Sequence, residues 1–504
     1  MSIKNCRTGA GNQLSVISYQ LSVFSFQFSD LSFKFPIPDD RIFVVYDLVI
    51  IGATPAGIEA ALLAVHLKKR VALVQQPSND NLEASEDIFS KGYSQIIHLY
   101  KLLNHWQETA IYPQWQRLRQ WLEEVDKTIN KHHSLARLAT EGIDVILGGG
   151  EFVRLPHLGF VVNGRQLLAK HYIIATDFYP QVPKIFGLDE VNYFTAQTLW
   201  QEPNLDKLGQ HLGIIGNSSM AVSLAQILRR LGKEISLIIE DSYLLPDIDR
   251  EICHLVTAIL EAEGIKILPG YSPSQVKAIE GKKWLQLGNR VIEVDDLIFA
   301  GNYQVNEQGL NLAGVGVKLE QGLIRVNQQL QTDNSRIYAI NLLRNNYPDP
   351  TLNHRAAFGL VKHLLTGEKF NFNPEQIPSF IAFDPAIAWV GLTEKAARES
   401  YGEEVKMINY PIKNIVAQQI WGETTGFCQL IYRQDGKILG AQIVSNQAAE
   451  MIGIISLALQ ENLTIQSLNK NIYTWGSMGE IIGEMTQLIP PKKSWLTWLK
   501  KLFR

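Results

Sequence analysis

The chain has little that would anchor it in a membrane, staple it with disulfides or draw it to nucleic acid. It contains no run of about 18 apolar residues, so no transmembrane helix is expected. Its three cysteines, Cys6, Cys253 and Cys428, are far apart and form neither a C-x-x-C pair nor a metal-ligand spacing. No disulfide framework and no metal site are expected, and the setting suits a reducing, cytoplasmic compartment. Charge is not in excess either: a net of -3 gives no electrostatic reason to propose nucleic acid as a partner. What is present is ordinary for a globular enzyme, 46% hydrophobic and 19% charged over 504 residues. That length exceeds one core and predicts roughly two to four domains.

The two ends stand apart. "LSVISYQ", "LSVFSFQ" and "FSDLSFK", from Leu14 to Lys34, are successive copies of one seven-residue unit. Residues 1–45 are read as a translated tandem repeat outside the fold rather than a strand pair or a signal peptide. Polar residues break any apolar core of a signal, and no small-x-small site follows. At the other end, residues 491–504 form a basic-aromatic tail. In it Trp495, Trp498, Leu499, Leu502 and Phe503 can share one side of a helix, with Lys500, Lys501 and Arg504 at its boundary. That pattern fits a weak membrane-surface contact or a protein-packed tail.

Between them the organisation is legible. "YDLVIIGATPAGIEAALLAVHLKKRVALVQQ", Tyr46 to Gln76, reads as strand, glycine turn, helix and strand. The usual G-x-G-x-x-G is here Gly52-Ala-Thr54-Pro55-Ala56-Gly57, and Gln75 stands where an acid usually ends the second strand. A second copy follows in "HLGIIGNSSMAVSLAQILRRLGKEISLIIE", His211 to Glu240, this time ending in an acid. Beyond the Pro-containing "NFNPEQIP" the pattern turns to short strands, a hairpin signal at Asp435-Gly436 and a helix, which is α+β.

Taken in order, these motifs resemble the class I pyridine nucleotide-disulfide oxidoreductases, which include dihydrolipoamide dehydrogenase, glutathione reductase and mercuric reductase. "IIATDFYPQVPKIFGLD", "GLNLAGVGVKLEQGLIRVNQQLQTDNSRIYAI" and "PSFIAFDPAIAWVGLTEKAARESYG" are similar to the family's A-T-G segment, the run before its second flavin contact and the start of its dimerisation domain. "GNSSMAVSLAQILRRLG" is similar to the nicotinamide turn of mercuric reductase. The resemblance implies an α/β fold with two Rossmann-like dinucleotide-binding domains of the three-layer ββα type, the second inserted in the first, and a dimerisation domain. The implied boundaries are 46–185 with 295–370 for FAD, 186–294 for NAD(P) and 376–490 for dimerisation. A homodimer is implied as well.

The same resemblance exposes losses. Leu82 and Asp87 stand where the redox cysteine pair is expected, and Trp475 replaces the acid–base histidine, leaving Glu480 of that motif. Neither Leu nor Asp can form a thiolate, and an indole N–H cannot exchange a proton near neutral pH. Thiol and mercuric reduction are therefore not expected. Lys91 of the I-P-S-K segment remains, but Ser223 holds the place of its glutamate partner. Lys91, Trp475 and Glu480 are the positional candidates for catalysis, against bland roles as a surface charge or cap.

For FAD, Gly52 and Gly57 keep the turn, and the helix starting at Pro55 and Ala56 offers its positive end to pyrophosphate. The Thr54 hydroxyl is expected to replace a lost amide contact. Gln75 lacks the charge that strengthens a ribose hydrogen bond from about 1 to about 1.5–3 kcal/mol. Asp177 replaces the glycine of A-T-G, and Leu342 the aspartate that holds the ribityl chain. FAD binding is expected to be weak. In the second turn Gly216, Ser218 and Ala221 are acceptable, and Glu240 is placed to accept a ribose's hydroxyls, favouring NADH over NADPH. The expected activity is electron transfer from NAD(P)H through flavin to a small-molecule acceptor. The alternative is a non-catalytic, dimeric nucleotide-binding or sensing protein.

Overall fold

The computed structural model describes residues 46–77, 83–105, 115–132, 134–201, 205–470 and 473–489. The leader, the tail and Leu82 lie outside the described residues, as do the side chain of Asp87 and the readings placed on them. Among the described residues no helix is long and apolar enough to cross a membrane.

A five-stranded sheet runs in the order Ile337–Ala339, Ala169–Ile174, Tyr46–Ile51, Val71–Gln75, Asp144–Leu147, with every neighbouring pair parallel. Side chains alternate across it, and both faces are buried. Val49 and Ile51 pack with Phe152, Phe160 and Leu167 of a three-stranded antiparallel sheet. Leu48 and Ile50 pack instead on Ala60, Ala61 and Ala64 of helix α1, Pro55–His66. The alanines bring α1 close to the strands, and its Pro55 suits the first helical position, where a missing N–H leaves no bond unmade. Helix α2, Glu83–His105, follows the first β-α-β unit and carries Lys91.

The arrangement recurs. A second five-stranded parallel sheet has the order Lys266–Pro269, Glu234–Ile239, His211–Ile215, Asp296–Phe299, Phe194–Thr195. Leu212 and Ile214 face Leu224 and Ala225 of helix α3, Ser219–Arg230. Ile215, Ile238 and Phe299 face Val276 and Leu285 of another antiparallel three-stranded sheet. The chain then returns to the first sheet through Ile337–Ala339, and helix α4, Pro350–Thr366, packs its Ala356, Ala357 and Leu360 beside α1. The expected two-fold use of the three-layer α/β plan is what the chain adopts.

A third, antiparallel sheet holds Ser379–Ile381, Ile387–Gly391, Ile438–Val444, Phe427–Arg433 and Val405–Pro411 in that order. Its core is shared with helix α5, Ala448–Gln460. The Asp435-Gly436 turn joins two of these strands, with Gly436 at φ 92°.

One buried charge cluster, which sequence reading missed, ties these units together. Asp384 accepts from His98 Nδ1 of α2 at 3.0 Å, Lys101 Nζ at 3.1 Å and Arg230 Nη1 of α3 at 2.6 Å. Arg230 also reaches Glu263 at 2.6 Å, and His98 Nε2 meets Glu423 at 2.6 Å. The paired cations hold the Asp384 carboxyl well below the usual range despite its burial, whereas the two carboxylates push His98 up to about 9 against its own desolvation. Asp384 lies 286, 283 and 154 positions from His98, Lys101 and Arg230, so no local spacing announces the cluster.

Candidate functional site

Two glycines make the first turn what it is. Gly52 sits at φ 113°, and a Cβ there would lie 2.0 Å from the Ala175 carbonyl oxygen. A Cβ on Gly57 would lie 2.2 Å from the Gly52 carbonyl oxygen, so helix and strand could not approach this closely with any side chain. Thr54 corrects the expectation set for it. Its hydroxyl donates to the Ala175 carbonyl at 3.0 Å and accepts from Gly57 N–H at 3.2 Å, capping α1. A hydroxyl has one proton, and this one is engaged, so Thr54 cannot donate to a phosphate. Pro55 brings no N–H, and Ile58 N–H bonds the Thr54 carbonyl at 2.8 Å. A glycine at 54 would have left Gly57 N–H for an anion.

Beside this turn is a cavity of about 230 Å³, lined by Thr54, Glu59, Thr176, Asn341, Asn353 and Tyr347 among others. Thr176 Oγ1 and Asn341 Oδ1 are buried there with no hydrogen-bond partner. Buried polar atoms left so are costly, and a polar ligand would satisfy them. Asn341 is held by donating its Nδ2 to the Thr176 carbonyl. Glu59 of α1 pairs with His354 of α4 at the same cavity. The local signal for this site was the pair of motif positions themselves, Thr176 and Asn341, flanking Asp177 and Leu342.

The residues singled out on either side behave differently. Leu342 does not line the cavity: its side chain packs against the apolar layer between α1 and α4, while Asn353 bonds its N–H and its carbonyl, each at 2.9 Å. An aspartate at 342 would thus not simply restore a contact. Burial pushes the Asp177 carboxyl up to about 6. Gln75 is half-buried at its strand end, where its carbonyl accepts from Gly148 N–H at 3.0 Å. Its neighbour Gln76 is the one that lines an open cavity of about 510 Å³ with Gly149, Gly150 and Asn163, donating to the Gly150 carbonyl at 3.2 Å.

The second turn repeats the first. Gly216 sits at φ 143°, and its Cβ would lie 2.4 Å from the Ala300 carbonyl oxygen. Ser218, fully buried, donates to that carbonyl at 2.6 Å and caps Ala221 N–H at 3.1 Å. Ala221 is itself fully buried. Glu240 is exposed at the end of its strand, whereas Asp241 accepts from Asn217 Nδ2 at 2.7 Å.

A smaller cavity of about 50 Å³, lined from α2, the start of α3, the 344–351 segment and the third sheet, is shared by Lys91 and Ser223. Ser223 donates its hydroxyl to the Ser219 carbonyl at 3.0 Å and brings no negative charge to pair with Lys91. Lys91 stands 6.0 Å over the Phe380 ring and makes no ion pair with any described residue. Tyr347, Pro348 and Pro350 line both this cavity and the 230 Å³ one, forming the wall between them. Trp475 and Glu480 join neither: Trp475 is 78% exposed, and Glu480 accepts from Gly476 N–H at 3.0 Å at the start of its own helix. Glu480 therefore braces the turn that precedes its helix. Cys253 and Cys428 are buried far from any partner thiol among the described residues, and burial pushes them up to about 11 and about 12.

The model of the pyridine nucleotide-disulphide oxidoreductase family matches residues 46–341, and that of the family's dimerisation domain matches 377–486. The chain belongs to this family. Curated pyridine nucleotide-disulphide oxidoreductases similar to it include mercuric reductase of Bacillus cereus, 29% identical over 86% of this chain and 70% of that protein. Dihydrolipoyl dehydrogenase of Thermus scotoductus is 27% identical over 88% of this chain and 97% of that protein. Among solved structures of the fold, the HOCl-induced flavoprotein disulfide reductase RclA from Escherichia coli superposes with a TM-score of 0.75 at 23% identity, over 88% of this chain and all of that one. The family's cofactors are FAD and NAD(P)H. The first turn, with its glycine cradle and the orphaned Thr176 hydroxyl, fits the pyrophosphate-bearing part of such a group, and the orphaned Asn341 Oδ1 fits one of its hydroxyls. The full length of FAD fits less well, because 230 Å³ falls below the roughly 300–1,000 Å³ of ligand sites and Tyr347 walls the cavity off.

Proposed function

We propose that the protein is an NADH-dependent flavoprotein oxidoreductase that delivers electrons to a small-molecule acceptor without a disulfide relay, holding FAD weakly. Support comes chiefly from one observation: both dinucleotide turns keep glycines that no side chain could replace, while the described thiols are buried and inert. The FAD-binding part would comprise 46–185 and 295–370, the NAD-binding part 186–294, and the dimerisation part 376–490 of a homodimer. When bound, FAD supplies the capacity to take two electrons from a nicotinamide and release them to an acceptor. Gly52 and Gly57 let the backbone approach a pyrophosphate, the Thr176 hydroxyl would donate to it or to a neighbouring group, and Asn341 Oδ1 would accept from a ribityl hydroxyl. Glu240 would accept from both hydroxyls of an adenosine ribose and repel a 2′-phosphate. Lys91 would hold a positive charge beside the reacting groups without a proton-exchanging partner.

The test is the purified protein's flavin absorbance per polypeptide with its NADH and NADPH oxidation, using a quinone and dioxygen as acceptors and lipoamide as a disulfide control. Substoichiometric flavin, NADH preferred, and no turnover of lipoamide are expected. Sustained disulfide reduction would overturn the proposal. A non-catalytic nucleotide-binding dimer is the second reading, favoured by the Tyr347 wall; it requires calorimetric NADH binding with no oxidation by any acceptor.

A further inference from the structure

We infer that the 50 Å³ cavity at Lys91 binds a small anion, a carboxylate or an oxoanion. Several independent features converge there. Lys91 carries a charge with no ion-pair partner among the described residues, and Ser223 spends its one hydroxyl proton on the Ser219 carbonyl. Arg344 and Asp349, which also line the cavity, offset one another at 3.5 Å, and Asp349 is further occupied by Ser379 Oγ at 2.6 Å and Leu352 N–H at 3.0 Å. The cavity's net charge is therefore that of Lys91.

The positive ends of two helices meet at the same spot, α3 through Ser219 and Met220, α4 through Pro350 and Thr351. A helix end alone would say little. The deciding feature is Asn345, 7% exposed and lining this cavity, whose Nδ2 is buried with no hydrogen-bond partner. Asn345 and Asn346 hold φ of 49° and 59° in the turn between Leu343–Arg344 and Tyr347–Pro348, a conformation Asn tolerates better than most residues. That turn fixes the amide donor in the cavity that Lys91 also lines. A buried donor, a lone cation and two helix ends all select negative charge. Size sets the class: at about 10–15 Å³ per water, the cavity holds about four waters, enough for formate, acetate, nitrate or phosphate but not for a nucleotide.

The inference does not depend on flavin or on any reaction. Full-length protein is titrated calorimetrically with sodium formate, acetate, nitrate and phosphate in a sodium gluconate background of matched ionic strength. At least one is expected to bind saturably with about one site per chain, and the carboxylate and oxoanion arms identify the natural class. Lys91→Gln and Asn345→Asp should each weaken that binding at least tenfold, and Asn345→Asp keeps a residue that accepts the turn. Circular dichroism checks that each remains folded. Absence of saturable binding of all four anions overturns the inference, as does binding that neither substitution weakens.

Discussion

Ser218 repeats in the second sheet the position Thr54 holds in the first. Each hydroxyl caps the helix after the glycine turn and donates to the carbonyl that ends a neighbouring strand, Ala300 at 2.6 Å and Ala175 at 3.0 Å. In both turns the residue at the second glycine position has thus become a structural tie. That exchange strengthens the joint between helix and sheet while removing an amide from the phosphate-facing side. Thr54→Ala and Ser218→Ala should each lower unfolding free energy by about 1–2 kcal/mol, because cap and buried bond disappear together. Urea denaturation measures it; a change below a few tenths at both positions would contradict the tie.

Tyr347 stands where the two cavities adjoin. It is buried, packs edge-on to Tyr303 with ring centroids 5.3 Å apart, and separates the two cavities. Tyr347→Ala should join them and raise bound flavin per polypeptide at least twofold, whereas Tyr347→Phe should leave it unchanged. Truncating a buried aromatic costs about 3 kcal/mol, so occupancy is read at a temperature where both variants are folded by circular dichroism. Equal flavin content in the two would show that the wall is not what limits binding.

Thiol chemistry should be silent. Because Cys253 and Cys428 are buried with thiols pushed up to about 11 and about 12, a disulfide reagent at pH 8 should titrate at most one thiol per native chain and all three in denaturant. Two or more fast-reacting native thiols would reopen the disulfide question.

Stability should fall in alkaline solution. His98 titrates near 9 when folded against an ordinary value of 6.5, so it binds its proton more tightly in the native state. Its contribution is complete below about pH 6.5 and disappears as pH rises through 9. Asp384 and Glu423 face it directly, with Lys101, Arg230 and Glu263 around them. Allowing for screening, about 1–2 kcal/mol is at stake. His98→Gln should flatten the decline between those pH values in denaturation experiments; an unchanged slope would place the titration elsewhere.

The β-α-β periodicity, the two glycine turns and the change to α+β beyond residue 371 were all readable, because each depends on residues within about 30 positions of one another. So was the loss of sulfur at positions 82 and 87, which needs only residue identity. Direction was not readable. Sequence placed Thr54 beside a phosphate and Leu342 where a ribityl-holding aspartate is expected, whereas packing turned the Thr54 hydroxyl to Ala175 and drew Leu342 into the α1–α4 layer. Nor could it reveal Tyr347 as a partition, Asn345 as an unpaired donor, or the His98–Asp384 pair, 286 positions apart. The chain by itself determined which backbone conformations and helix faces were possible. Only tertiary structure decided which polar atoms found partners, because burial and long-range contact fix that choice, and the site's chemistry rests on the few that found none.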